Sequence, residues 1–202
     1  MNVFDILGPV MIGPSSSHTA GAARIGRITR TLLGGPAVKA DILLHGSFAK
    51  TYKGHGTDKA LIAGIMGMAT DDVRIRQAPE LAKQAGLDVH ISTGDIDGAH
   101  PNTAKVTLTD AKGRQVSLLG SSIGGGNILV TEVNGMEVSL TGQYATLIVL
   151  HKDAPGTIAA VTEVMAEEGI NICNFRLSRQ KKGGEAVMTI ELDGKPSPEI
   201  NK

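Results

Sequence analysis

Residues 13–19 read Gly-Pro-Ser-Ser-Ser-His-Thr, just ahead of a helix-like run at 20–33. One hydroxyl, two at most, suffices to cap the orphan amides of a helix start. Here Ser15, Ser16, Ser17 and Thr19 surround the imidazole of His18. Hydroxyls and an imidazole at the positive end of a helix make a place to hold a small anion. The plainer reading is an over-decorated cap, and these residues alone leave both open.

A second polar stretch runs from His45 to Lys59. His55 lies there between Gly54 and Gly56, immediately before a helix expected over 57–68 with Thr57 or Asp58 as cap. An imidazole on that backbone suits carboxylate binding or proton transfer near neutral pH. A histidine merely facing solvent is the competing reading, and Lys53 and Lys59 read as solvated. His100-Pro101-Asn102-Thr103 is equally a turn or part of a site. Ser121 to Asn127 is glycine-rich but joins strand to strand, with no Lys-Ser/Thr after it. It therefore reads as a bulge or close backbone packing rather than a nucleotide cradle. The chain holds six histidines and one cysteine, Cys173, with no metal-ligand spacing among them. No metal site is expected from this chain alone. His45 and His90 fall in strand-like runs and read as structural.

The elements that must position these groups are mixed. A helix over 20–33 places Ile25, Ile28 and Leu32 on one face, stopped by Gly34-Gly35-Pro36. A strand at 38–44, the helix at 57–68 and another within 71–84 follow. Short strands come next at 87–93, 103–109, 115–119, 128–133 and 136–140, separated by Gly- and Asn-Gly turns. Helices followed by an antiparallel sheet give an α+β class. The pattern resets near Gly142. A strand at 146–150 leads through Asp153-Ala154-Pro155-Gly156 into a helix at 157–168, with Ile158, Val161, Val164 and Met165 inward. Strands at 170–178 and 185–192 complete a βαββ unit. The domains are thus expected at 1–142 and 145–202. The second stops short of a full βαββαβ unit, so it reads as truncated or incomplete. The amides after Gly156, with His151 and Asn171 nearby, fit an amino acid's charged groups, or an ordinary capped turn.

Composition narrows the function classes. Lys+Arg and Asp+Glu are 20 each, so nothing favours nucleic acid or an anionic membrane. Aromatics are 2%, too few for base-stacking platforms. The single cysteine fits a reducing cytosol. No signal peptide or membrane span is read, and a cytoplasmic location is expected.

The run at 3–9, Gly13–Ala22, Tyr52-Lys53-Gly54-His55-Gly56-Thr57-Asp58, His100–Lys105 and Ser122–Gly126 together resemble, in order, the β subunit of bacterial iron–sulfur L-serine dehydratases. The resemblance implies an N-terminal "allosteric substrate binding" (ASB) domain, related to one in some phosphoglycerate dehydrogenases. Leu150–Gly156 and Gly169–Ile172 are similar to the serine-binding segments of ACT domains, a ferredoxin-type fold. Asp153 departs from that pattern, which has Asn. A carboxylate there repels the carboxylate of serine, so weak effector binding or none is expected. In this family a 4Fe–4S cluster, without pyridoxal phosphate, deaminates serine to pyruvate and ammonia. An open iron acts on the hydroxyl as a Lewis acid. The implied catalytic residues are His18 and His55. Ser15, Ser16, Ser17, Thr19 and Asn102 are implied to bind substrate, and His151, Asp153, Gly156 and Asn171 an effector. One cysteine cannot ligate the cluster, so a partner α subunit is implied to carry it. Pairing of two chains through the ACT-like module is also implied. The rival reading is a non-catalytic amino-acid-sensing subunit.

Overall fold

The computed structural model describes residues 11, 13, 15–141 and 144–194. The run at 3–9, Pro14, the first residues of the expected boundary (142 and 143), Pro196 and Pro198 lie outside them. The chain divides into two compact units, Met1–Asn134 and Gly135–Lys202.

In the first unit a π-helical turn, Ser16–Gly21, runs straight into α1, Ala22–Leu33. Its cap is Ser15, whose hydroxyl accepts from the His18 amide, rather than Ser17 or Thr19. Gly34, at φ 79°, ends α1 with its amide on the Arg30 and Thr31 carbonyls. The buried stripe is Ala22, Ile25, Gly26, Thr29 and Leu33, while Ile28 and Leu32 flank it half-buried. Small residues set that stripe. At Gly26 and Gly64 a Cβ would strike the Leu61 and Ala23 carbonyls respectively, so α1 and its neighbour meet nearly backbone to backbone.

That neighbour is α3, Thr57–Ile65, buried over most of its length. Two elements differ from expectation. Residues taken for a loop form a helix, α2, Gly46–His55, and α3 is preceded by Gly56 with no side-chain cap, not by Thr57 or Asp58. The segment at 71–84 splits into a 3-10 turn, Val73–Gln77, and a short α4, Ala78–Gln84, with Pro79 in its first turn.

The strands are β1 Lys39–Leu44, β2 Asp88–Thr93, β3 Thr103–Thr109, β4 Gln115–Gly124 and β5 Asn127–Val133. Within this unit they lie in the order β2-β1-β3-β4-β5. The sheet is not wholly antiparallel. β1 and β2 run parallel, Lys39 opposite Asp88 through Leu44 opposite Thr93, because the three helices between them form the crossover a parallel pair needs. Alternate residues point to the helices: Ala40, Ile42 and Leu44 of β1, then Ala104, Val106 and Leu108 of β3, are buried. In β4 the alternation fails. Register shifts after Leu119 and Ser122 leave Ser121 and Ser122 both buried.

The second unit opens with β6, Met136–Leu140, followed by β7 Ala145–Lys152, α5 Thr157–Glu167, β8 Ile172–Arg179 and β9 Glu185–Leu192. The last three strands order as β7-β9-β8, all antiparallel. β9 is central and nearly all buried, since α5 covers one face and β6 lies against β8 and β9. Arg176 Nη2 sits 2.6 Å from Glu137 Oε1 across that packing. The core joins Met165, Met188, Ile190 and Leu192 with Leu147, Val149, Val161 and Phe175. Ile158 and Val164, expected inward, are 48% and 42% exposed. A three-stranded sheet covers one stripe of α5 and no more.

Candidate active site

The π-helical turn ahead of α1 and its cap bring three predicted residues, Ser15, Ser17 and His18, into one hydrogen-bonded group. His18 is 8% exposed. Its Nδ1 lies 3.1 Å from Ser17 Oγ and 3.4 Å from Ser15 Oγ, and the two hydroxyls are 3.2 Å apart. Its Nε2 lies 3.3 Å from Ser47 Oγ. Hydroxyls donate or accept as needed, so both ring nitrogens are satisfied in the neutral imidazole. Burial, and then the neighbouring His55, push its pKa below the ordinary histidine value of 6.5.

Ser47 reaches His18 because α2 is pinned at its start. The amides of Ser47 and Phe48 both donate to the Pro101 carbonyl, at 2.7 and 3.3 Å. Gly46, at φ 60°, lets that strand-end loop close in, since a Cβ there would strike Pro101. Phe48 is fully buried and stacks edge-on to His18, ring centres 5.2 Å apart. The other end of α2 carries His55. Its ring stands perpendicular to that of His18, centres 4.9 Å apart. His55 is exposed, and among the described residues its ring nitrogens have no hydrogen-bond partner. It therefore belongs to a helix end stopped by Gly56 at φ 72°, not to a flexible loop.

Asn102 joins this wall through Pro101. Its carbonyl accepts from the Ser122 amide at 2.9 Å, and Thr103 Oγ1 and Ser121 Oγ are 2.6 Å apart beside it. Asn102 Oδ1, Ser122 Oγ, Thr19 Oγ1 and Thr57 Oγ1 are all buried without a partner. An unmet buried polar atom costs about 1–3 kcal/mol, so folds retain such groups sparingly, and a bound ligand or water is one way they are met. Ser16 is half-buried in the π turn. A cleft of about 510 Å³ opens beside His55, with Thr19, Lys53, Lys59 and Arg76 on its walls.

Sequence reasoning placed Ser47, Phe48, Thr103 and Ser121 inside candidate stretches but gave them no role. The only local signal was a Gly-Ser step ahead of Phe48, in a segment too polar to read as a helix. His45 proved to be the residue before α2, its Nδ1 accepting from the Ile96 amide at 3.1 Å. His90 is exposed on β2, not packed. His100 Nδ1 accepts from the Asn102 amide at 3.1 Å.

The second-unit residues have partners of their own. Asp153 Oδ2 lies 2.6 Å from Arg179 Nη1 and accepts from the Gly183 amide at 3.0 Å. The Gly183 amide and then the Arg179 guanidinium hold its carboxyl below the usual range. The repulsion expected of Asp153 is thereby offset within the chain. Asn171 donates to Asp193 Oδ2. His151 Nδ1 is 2.7 Å from the Lys152 carbonyl oxygen, and its Nε2 is buried with no partner. Gly156, at φ 88°, precedes α5.

Among the described residues no group of three or more His, Cys, Asp or Glu could hold a metal ion. Cys173 is exposed on β8. A four-iron cluster is held by several cysteine thiolates, so the residues of this chain do not fit one.

Comparison with known proteins finds relatives for both parts of this α+β chain. A profile of the serine dehydratase beta chain matches residues 2–95, and one of the ACT domain matches 145–202. The probable L-serine dehydratase beta chain of Bacillus subtilis is 50% identical over 192 residues, 95% of this chain and 87% of that protein. The L-serine dehydratase beta chain of Peptoniphilus asaccharolyticus is 38% identical over 202 residues, 100% of this chain and 90% of the relative. A D-3-phosphoglycerate dehydrogenase of Methanocaldococcus jannaschii is 28% identical over 173 residues, only 32% of that longer protein. The chain belongs to the serine dehydratase beta-chain family.

Proposed function

We propose that this chain supplies one wall of an active site that deaminates L-serine to pyruvate and ammonia, together with an α chain that ligates a 4Fe–4S cluster. The family supports the reaction, and the single cysteine supports placing the cluster elsewhere. The observation that carries the residue roles is the contrast between the two histidines. His18 is buried, neutral and bonded at both nitrogens, so it positions. His55 stands against it with a free, exposed ring, so it moves the proton.

In this reading Ser15, Ser16, Ser17 and Thr19 offer hydroxyl donors to the serine carboxylate. The unpartnered Asn102 Oδ1 accepts from its ammonium. His55 takes the Cα proton, and expulsion of the hydroxyl falls to groups on the partner chain. The resulting aminoacrylate tautomerises and hydrolyses without further help. Anaerobic co-expression with the α chain and a pyruvate assay tests this. His55→Ala lowers kcat by about a hundredfold or more, as for a general acid–base. Near-normal turnover at saturating serine would exclude that role.

The ACT module is proposed to sense a small amino acid at the turn before α5, through the amides after Gly156, His151 Nε2 and Asn171, with Asp153 neutralised by Arg179. Calorimetry with L-serine on the full chain and on His151→Ala checks it. Pairing of two chains along β7 is supported by its bonding to β9 alone among the described residues. Sedimentation of the full chain reads it directly. No described helix is long and apolar enough to cross a membrane.

A further inference from the structure

α4 is too short to cover the edge of the first sheet. The six residues of β2 run about 20 Å, whereas the seven of α4 run about 10 Å. Val89 and Ile91 of β2 lie opposite the buried Ala40 and Ile42 of β1, so they share the face that the helices cover. Both nevertheless stay half-buried. A cleft of about 580 Å³ is left between this edge strand, α4 and the α2–α3 pair. That is room for a small molecule.

The lining has two characters. Its floor is apolar, with Ile62, Leu87, Val89 and Ile91. Its rim carries two ammonium groups, Lys53 and Lys83, and two carboxylates, Asp58 and Asp88. Among the described residues none of these four is ion-paired. Lys39, opposite Asp88 in the strand register, is held by Asp41 instead. Lys53 rests on the Tyr52 ring, its Nζ 5.7 Å from the ring centre. An independent observation adds to this. Asp58 Oδ1 is buried with no hydrogen-bond partner. A buried carboxylate oxygen calls for a donor, and an ammonium supplies a charged one.

We propose that this cleft binds a free α-amino acid with an apolar side chain. Its ammonium meets Asp58, its carboxylate meets Lys53 or Lys83, and its side chain covers Leu87, Val89 and Ile91. Serine satisfies the charges but leaves the apolar floor wet, so the site discriminates against it. Lys53 stands in the last turn of α2 and Asp58 in the first turn of α3, on either side of His55. A bound amino acid therefore clamps the two helix ends that hold that histidine. Binding needs no cluster and no turnover, so it stands or falls separately from the serine chemistry.

Calorimetry on the full chain tests it, with L-leucine, L-serine, 4-methylvalerate (leucine without its ammonium) and L-leucinamide (leucine without its carboxylate) as titrants. Saturable one-to-one binding of L-leucine is expected, with the other three each at least about tenfold weaker. Asp58→Asn should weaken L-leucine binding about tenfold, the loss of a charge-assisted hydrogen bond. Val89→Ser, on the half-buried edge strand, should weaken it several-fold without touching a charge. His151→Ala, in the second unit, should leave it unchanged. No saturable heat with L-leucine, equal binding of L-serine or of 4-methylvalerate, or affinity indifferent to both Asp58→Asn and Val89→Ser would overturn the site. Loss of L-leucine binding in His151→Ala would place the ligand in the second unit and overturn it too.

Discussion

His18 is the residue on which the wall turns, and its burial has a thermodynamic consequence. Its pKa is lowered on folding, so between that value and 6.5 the unfolded chain binds a proton that the folded chain does not. Its contribution to stability is therefore whole above pH 6.5 and is lost as pH falls through 6.5 toward the folded value. Urea midpoints measured from pH 8 to pH 5 should fall on acidification, and more steeply than in His18→Gln. Parallel curves would show that His18 does not titrate in this way. Ser47→Ala, which removes the hydroxyl on Nε2, should cost about 1 kcal/mol of orientation, roughly fivefold in kcat with KM little changed. Restoration by Ser47→Thr would separate positioning from bulk structural damage.

At the scale of elements, the two histidines meet because α1 and α3 pack closely and α2 is wedged beside them. Gly64→Ala should force the α1 backbone away from α3 and destabilise by about 1–3 kcal/mol, read as a lower urea midpoint at unchanged m-value. Phe48→Ala removes the one fully buried side chain of α2 and should cost about 3–5 kcal/mol. Because Phe48 touches His18, that variant should also lower turnover beyond what stability explains. Asp153 acts similarly in the second unit, where it ties the turn before α5 to the β8–β9 connection through Arg179 and Gly183.

For the whole molecule, the decisive fact is what one chain lacks. With a single exposed cysteine, the purified chain should carry no iron–sulfur cluster and no dehydratase activity, by iron analysis and visible spectrum under anaerobic conditions. A stoichiometric cluster would overturn the two-chain arrangement. The His18–His55 wall opens to solvent at His55, and in the proposed reading the partner chain's reactive group enters there.

The sequence by itself determined much at short range. Alternating apolar residues marked β1 and β3, Gly34 and Gly156 marked helix ends, and the serine run with His18 marked the candidate site. These signals lie within a few residues of what they control. Tertiary structure decided the rest. α2 has one fully buried side chain and two glycines, so its helix exists because Phe48 docks and the Pro101 carbonyl takes its first amides. The parallel pairing of β1 with β2 rests on a crossover that no local pattern announces. Ser47 stands 29 residues from His18, and Arg179 stands 26 from Asp153. Hydrogen bonds and charge pairs depend on distance in space, and only the folded chain brings those separations down to contact.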